Sequence, residues 1–441
     1  SYPTAVEFHE GYGAGDYGRH LDAADASPDE PLSLYLHLPF CHKRCDFCGC
    51  NVVIAREHSI SHRYLEMLHR EIALVAGRLP SRRRVSQLHW GGGTPTYQNV
   101  DEMRRLHGVV REHFRLDDGA EIAIEVDPRV TSRAQLEALD EMGFNRISLG
   151  VQDVEASVQE AIGRNQSERQ TRDLFTDCRE IGFESVNLDL VYGLPRQTVQ
   201  SFERTLDAIL DLRPDRVALY SYAHLPSMRP NQKRIDESEL PDAEVKLALM
   251  AGAMDRFAGA GYAQIGMDHF ALPDDELTRA QSERTLHRNF MGYTVKMGGD
   301  MIGFGISAIG DVAGSFAQNT KKLNRYYDAL ENDRFPIERG YLLDDDDKLR
   351  RDVILDLMCN FHVDFREIER KHGITFDEYF AVELDELFAE DAHASHGFIE
   401  RRPEGLAVVG PGQLFVRNVA MVFDRHLRTR RGPQPLFSRT V

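Results

Sequence analysis

Between residue 32 and about residue 270 the chain alternates short apolar runs with longer amphipathic ones. The runs at 32–40, 85–90, 121–127, 146–152, 185–191, 216–223 and 262–268 predict strands. The segments between them are long enough for crossover helices, and Arg63–Gly77 and Ala243–Gly259 carry apolar residues at helical spacing. Repeated βα units predict a parallel sheet with helices outside, which right-handed crossovers curl into a full or partial barrel.

The pattern inside each strand says which face does chemistry, because successive strand side chains point to opposite sides. In Glu121–Asp127, Ile122, Ile124 and Val126 share one face and Glu125 and Asp127 the other. In 147–152, Ile147, Leu149 and Val151 oppose Ser148, Gly150 and Gln152; in 186–191, Val186, Leu188 and Leu190 oppose Asn187, Asp189 and Val191. Tyr35 and His37 likewise oppose Leu34, Leu36 and Leu38. A barrel of this type is usually filled with Val, Ile and Leu. A polar inner face instead implies a lumen that holds a ligand. The competing reading, a one-sided antiparallel sheet facing solvent, is disfavoured by the intervening helices.

Beyond residue 270 the pattern loosens. Residues 271–340 read as irregular, with Gly298, Gly299, Gly303, Gly305 and Gly310 clustered, and are expected to extend the barrel and close its site. The acidic run Asp344–Asp347 is expected to be solvated and to cap the helix after it. From 341 to 441 a mainly helical domain is predicted, with a hairpin turning at Pro403-Glu404-Gly405. Helix, hairpin and helix suggest a winged-helix-like shape. The arginines at 425, 428, 430 and 431 read first as a solvated tail and second as contacts for an anionic substrate. The expected organisation is a segment over 1–30 lying above the active site, a barrel over 31–270, its extension over 271–340 and the C-terminal domain over 341–441.

Composition narrows the partners. Hydrophobic residues make up 42% and charged residues 28%, as in a soluble globular protein. Lys and Arg number 53 against 71 Asp and Glu, and the net charge of −18 argues against nucleic acid and assigns the C-terminal domain a lid or packing role. No apolar run approaches the roughly 20 residues that span a bilayer. The opening Ser1-Tyr-Pro-Thr-Ala-Val-Glu-Phe-His-Glu lacks the basic and apolar blocks of a signal peptide. A monomer in the cytoplasm, away from membranes, is expected. In that reducing compartment unpaired cysteines can serve as ligands.

Of six cysteines, four fall between Cys41 and Cys50, and the spacing of Cys41, Cys45 and Cys48 is C-x3-C-x2-C. Such clustering reads as a metal or iron–sulfur site, whereas Cys178 and Cys359 read as buried apolar residues. Four ligands would make a closed structural site; three on a 4Fe–4S cluster would leave one iron open. Lys43 and Arg44 would offset part of the cluster's charge, and Phe47 would shield it or stack on an aromatic ligand. A second motif, His89-Trp-Gly-Gly-Gly-Thr-Pro-Thr96, ends the next strand, where three glycines would let backbone approach a bound molecule.

The cysteine motif after a first strand, with an aromatic before its third cysteine, resembles the radical S-adenosylmethionine (SAM) enzymes. Further motifs narrow the resemblance to the oxygen-independent coproporphyrinogen III dehydrogenases: Tyr35-Leu-His-Leu-Pro-Phe-Cys, Gln87-Leu-His-Trp-Gly-Gly-Gly, Glu125-Val-Asp-Pro-Arg, Gly150-Val-Gln-Asp, Asp189-Leu-Val-Tyr-Gly-Leu-Pro, Tyr222-Ala-His-Leu-Pro, Gly266-Met-Asp-His-Phe and Phe437-Ser-Arg. Cys50 and the long N-terminal segment set the chain apart from haem-chaperone relatives.

The resemblance implies a partial (β/α) barrel of the radical SAM type. It implies one 4Fe–4S cluster on Cys41, Cys45 and Cys48, with Cys50 not a ligand, and two SAM sites. Tyr35, Gly92, Glu125 and Ile309 match positions around the cluster-bound SAM, Tyr35 being also the candidate catalytic side chain. Phe47, Gly93, Thr94, Gln152, Arg164, Asp189 and Ala223 match positions around the second. Met291 departs from the family's usual Gln and removes a polar contact near that second site. The implied reaction is oxidative decarboxylation of two propionates of coproporphyrinogen III to vinyl groups, giving protoporphyrinogen IX in haem biosynthesis. An electron donor such as flavodoxin or ferredoxin is implied, while the electron acceptor stays unknown. His287, Arg288 and the N-terminal segment are candidates for the cationic rim that a tetracarboxylate needs. The competing functions are a radical SAM methyltransferase or cyclopropanase, and a non-enzymatic haem-binding chaperone.

Overall fold

Six strands follow one another across a parallel sheet in chain order: β1 (Leu32–Leu38), β2 (Arg84–Gly92), β3 (Arg115–Val126), β4 (Arg146–Gln152), β5 (Ser185–Tyr192) and β6 (Arg216–Ser221). This computed structural model describes residues 2–296, 299–389 and 396–429. Helix α1 (Ala14–Asp25) precedes β1, and α2 (His58–Gly77), α3 (Val100–His113), α4 (Arg133–Glu141), α5 (Glu168–Ile181) and α6 (Val199–Leu212) make the crossovers. Four of these crossovers start on a reciprocal cap, at Asn99, Ser132, Ser167 and Thr198, whose side chains accept the first free helix N–H groups. The last helix of the series, α7 (Ala243–Gly259), has the bounds its apolar spacing predicts.

The alternation read from the sequence is the alternation of burial. Along β4, Ile147, Leu149 and Val151 are buried while Ser148, Gly150 and Gln152 are only partly so. The apolar face of the sheet packs under the helices, where fully buried Trp90 meets Phe144 edge-on at 4.9 Å. Pro39 splits the predicted strand 32–40 into β1 and the two-residue strand Phe40–Cys41. The predicted strand 262–268 is instead an antiparallel pair, Ala263–Ile265 with His269–Ala271, turned at Gly266 (φ +56°).

Part of the stretch expected to be irregular is sheet. Strand β7 (Asp300–Phe304) runs parallel to β1 on its free side, and β8 (Ile309–Val312) and β9 (Ser315–Asn319) continue antiparallel from it. Strands β7 and β9 are short and buried on both faces, and β8 is only four residues long, so they show no alternation to read.

Two compact units divide the chain differently from the predicted boundaries. The described residues of Glu10–Tyr262 and Lys296–Gly340 form the larger, and those of Ser1–His9, Ala263–Val295 and Tyr341–Gln434 the smaller. The smaller unit packs a helix, Asp345–Asn360, with a three-stranded sheet in the order His362–Asp364, Gly405–Val408, Ile399–Arg402. The predicted hairpin is present. Gly405 sits in a strand rather than in the turn, and it must be glycine because a Cβ there would come within 1.9 Å of the Val363 carbonyl.

Two expectations for this unit are corrected. Arg425 is not solvated: it pairs with Asp344, Asp346 and Asp347, while Arg428 pairs with Glu386 and Glu383. The acidic run therefore meets its own cations. Asp344 does cap the helix, but Asp347 is fully buried. Arg430, Arg431 and Phe437-Ser-Arg lie outside the described residues.

Candidate active site

The cysteine loop leaves β1 at its C-terminal end, where ligand sites of parallel sheets gather. Phe40–Cys41 pairs in parallel with Val53–Ile54, and Gly93 N and Thr94 N donate to Leu38 O and Phe40 O, each at 2.9 Å. Two side chains then hold the loop's interior. Asn231 Nδ2 lies 3.2, 2.9 and 3.0 Å from the carbonyls of Cys45, Asp46 and Cys48. Gln232 Nε2 donates to Phe47 O at 3.0 Å and Ala223 O at 3.1 Å. Sequence reasoning missed both residues. Adjacent amides behind Pro230 carry no periodicity, so only the fold reveals them.

The three glycines of the second motif yield chiefly to the protein itself. A Cβ on Gly91 would lie 2.8 Å from Glu125 Oε1, and one on Gly93 2.6 Å from the Pro39 carbonyl. Gly92, at φ +116°, leaves room for the His37 ring and donates its N–H to Glu125 Oε2 at 3.1 Å. The glycines are thus needed to bring the cysteine loop, Glu125 and His37 against one turn, and only then to face a ligand.

One cavity of about 820 Å³, counting the space at its mouth, is lined by residues of the larger unit alone. It brings together Cys41, Cys45 and Cys48 with Phe47, Gly92, Gly93, Thr94, Glu125, Gln152, Arg164 and Asp189, and also Lys43, Arg44 and Cys50. Tyr35, Ala223 and Ile309 are not in its wall. Tyr35 pairs in register with His89 and Gly303, and a Cβ on Gly303 would come within 2.6 Å of Ile309 O. Ala223 is tied to the cysteine loop through Gln232. Phe47 is partly buried against Val158, Ile162, Val191, Leu194, Tyr222 and Ile235. Gln152 reaches the wall from a left-handed backbone at φ +72°, where the β4–β5 register shifts. A non-glycine residue held there marks local strain of the kind that gathers at functional sites.

The polar partners fix protonation and direction. His37 Nε2 lies 2.9 Å from Asn51 O, so it carries the proton, and Nδ1 accepts from Tyr35 OH at 3.0 Å. Burial lowers the His37 pKa and keeps that ring neutral. Burial raises the Glu125 pKa, but the hydrogen bond and charge of His89 and the Gly92 N–H outweigh it and hold the carboxyl ionised. Burial lifts the Cys41 thiol to about 11, while hydrogen bonds from Cys50 bring Cys48 down to about 6. Around Cys45 the donors are cations: Arg129 Nη2 lies 3.6 Å and Arg164 Nη1 3.7 Å from its sulfur.

Comparison with known proteins agrees with this geometry. The radical SAM superfamily model matches residues 35–209, and the HemN C-terminal domain model matches 343–415. The chain is 45% identical to the oxygen-independent coproporphyrinogen III oxidase of Salmonella typhimurium, over all of this chain and 95% of that one. The chain belongs to the oxygen-independent coproporphyrinogen III oxidase family. Its Pseudomonas aeruginosa member is 43% identical over 97% of this chain and 92% of its own. The solved structure of coproporphyrinogen III oxidase (HemN) from Escherichia coli, a radical SAM enzyme, superposes with a TM-score of 0.93 at 44% identity, covering 97% and 96% of the two chains. The sheet β1–β6 with its crossovers is thus the partial barrel of the radical SAM enzymes, and membership brings a 4Fe–4S cluster and SAM.

The residues present fit those groups. Three soft thiols share one wall with four cationic side chains, Lys43, Arg44, Arg129 and Arg164. On a cubic cluster each of the three thiols would bind a different iron. Arg164 Nε, buried and without a hydrogen-bond partner, is a donor left over for an anionic ligand. Among the described residues no helix is long and apolar enough to cross a membrane.

Proposed function

We propose that this oxidase family member converts two propionate side chains of coproporphyrinogen III to vinyl groups, releasing two CO2 and giving protoporphyrinogen IX. The observation that carries the reading is the single cavity uniting Cys41, Cys45 and Cys48 with the inward polar faces of β3, β4 and β5, in a chain similar end to end to such oxidases. The cluster and SAM, when bound, supply an electron and a 5′-deoxyadenosyl radical able to take hydrogen from unactivated carbon. Each propionate would thereby give up one hydrogen atom, one electron to an acceptor and its carboxylate as CO2.

The chain's own residues bind and orient. Cys41, Cys45 and Cys48 hold the cluster, and Cys50 supports Cys48 through an N–H to its sulfur at 3.4 Å. Tyr35, Gly92, Glu125 and Ile309 surround the first SAM; because Tyr35 donates to His37, its oxygen is left to accept. Phe47, Gly93, Thr94, Gln152, Arg164, Asp189 and Ala223 surround a second SAM. There the Arg164 guanidinium meets a carboxylate and Asp189, steadied by Asn187 Nδ2 at 2.7 Å, meets ribose hydroxyls. Met291 lies in the tight turn between His287–Asn289 and Gly292–Thr294. His287 and Arg288, on the first strand of that hairpin, are the candidate partners of the substrate carboxylates. A monomer working with a flavodoxin- or ferredoxin-like donor, without nucleic acid or membrane, completes the reading.

The test is anaerobic incubation of the reduced, iron-reconstituted protein with SAM and coproporphyrinogen III. Formation of 5′-deoxyadenosine, CO2 and vinyl product supports the assignment, and absence of both nucleoside and vinyl product would sink it. A methylated product would point to a methyltransferase, and haem binding without SAM cleavage to a chaperone. Cys41→Ala should lose the cluster's absorbance and SAM cleavage together.

A further inference from the structure

Arg129 closes the Glu125-Val-Asp-Pro-Arg motif with no role yet assigned to it, and it occupies a distinctive place in the cavity wall. It follows β3 in the turn Asp127-Pro-Arg-Val-Thr, which Asp127 O closes by accepting from Val130 N and Thr131 N, each at 3.1 Å. Its backbone N and Nε each lie 3.0 Å from Asp127 Oδ1, and Nη2 lies 2.6 Å from Oδ2. The same Oδ2 takes Arg164 Nη1 at 3.1 Å. One buried carboxylate therefore fixes two guanidinium groups, and the trio keeps one net positive charge. Both guanidiniums then point a nitrogen at a single sulfur, Cys45 Sγ, at 3.6 and 3.7 Å. No other thiol of the cluster motif has a charged donor on its sulfur among the described contacts: Cys41 meets the Thr94 hydroxyl and Cys48 the Cys50 N–H.

We propose that Arg129, held by Asp127, is a positioning residue that sets the reduction potential of the cluster through Cys45 and makes it easier to reduce. Reduction adds negative charge to a group already carrying three thiolates. Hydrogen bonds and positive charge at a ligand sulfur favour the reduced form and raise the potential. A polar side chain placed only to complete the turn would leave that potential unchanged. The inference rests on Cys45 being a cluster ligand, as proposed above.

The experiment is an EPR-monitored dithionite titration of the anaerobically reconstituted full chain, wild type against Arg129→Ala and Arg129→Lys, with iron and sulfide measured for each. Arg129→Ala should bind the same iron but reduce at lower potential, with about a tenfold lower reduced-to-oxidised ratio at fixed potential, or about 59 mV for one electron. Arg129→Lys, which keeps the charge without the fork, should fall between. Full iron content with an unchanged potential in Arg129→Ala would overturn the inference. Should Arg129→Ala not load, Arg129→Gln takes its place in the titration. If neither loads while Arg129→Lys does at wild-type potential, the role is structural and the inference fails. Cys45→Ala separates the two levels: iron and EPR signal retained in that variant would defeat the ligand assignment itself.

Discussion

Asn231 shows how much a single amide can settle at the residue scale. Its Nδ2 serves three carbonyls of the cysteine loop, and the side chain is almost fully buried. Asn231→Asp would set an acceptor against three acceptors. It should destabilise the protein by about 1–3 kcal/mol, the usual cost of orphaning a buried polar group, read from the urea midpoint. Its cluster should also bleach faster in air; wild-type stability and bleaching together would show the loop does not depend on it. Glu125 poses a different test. Gln at this position keeps the shape but gives up one of the two acceptors that hold Gly92 N–H and His89. Glu125→Gln should weaken SAM binding about tenfold by equilibrium binding, roughly the 1.4 kcal/mol of one charge-assisted hydrogen bond. Unchanged SAM affinity would remove Glu125 from the first SAM site.

At the scale of elements, Glu71 links three of them. From α2 it accepts Gly305 N at 2.7 Å just after β7, Asn319 Nδ2 at 2.6 Å at the end of β9, and Tyr326 OH at 2.6 Å. Burial nevertheless raises its pKa to about 7, against the lowering effect of those donors. The folded chain therefore holds a proton there that the unfolded chain releases near pH 4.5. The sign follows from linkage: stability is greatest below about 4.5, falls as pH rises toward 7 and is flat beyond. Glu71→Gln should remove that fall, so the difference in melting temperature between wild type and variant should depend on pH between 5 and 7; parallel profiles would count against a protonated Glu71. None of this was legible in the sequence, where Glu71 is one polar position on a helix. The strands that alternate were readable because one face is apolar and the other lines the lumen: Ser148, Gly150, Gln152 and Asp189 were placed correctly. Strands β7 to β9 were not, β7 and β9 being buried on both faces and β8 only four residues long. Asn231 and Gln232 were invisible, and Arg129 was visible only as the end of a motif, because they act on backbone and sulfur brought close only by folding.

For the molecule as a whole, the larger unit is closed by a buried cation far from the cysteines in sequence. Arg82, 1% exposed, gathers Ala24 O, Glu30 O and Asp25 through its side chain and backbone, and pairs with Asp300 at the start of β7. It thus joins the segment after α1 to the strand that flanks β1. Arg82→Met would strand Asp300 and should cost about 3–5 kcal/mol, seen as a lower denaturant midpoint. Adding Asp300→Asn should restore part of the loss; no recovery would mean that packing, not the ion pair, matters at Arg82. The division into units was the least legible feature, since residues 1–9 join a C-terminal unit that no local pattern connects to them.

The four successive carbonyls from Cys45 to Cys48 all find their donors in Asn231 and Gln232, so the loop's shape is specified by protein–protein bonds. Many small metal domains fold only when their ion arrives; these bonds predict instead a loop that keeps its shape without the cluster. Chelating the cluster should leave the far-ultraviolet circular dichroism unchanged, and adding iron and sulfide back should regenerate it without refolding. Damage by oxygen would then be a repairable loss of cargo, not the loss of a protein.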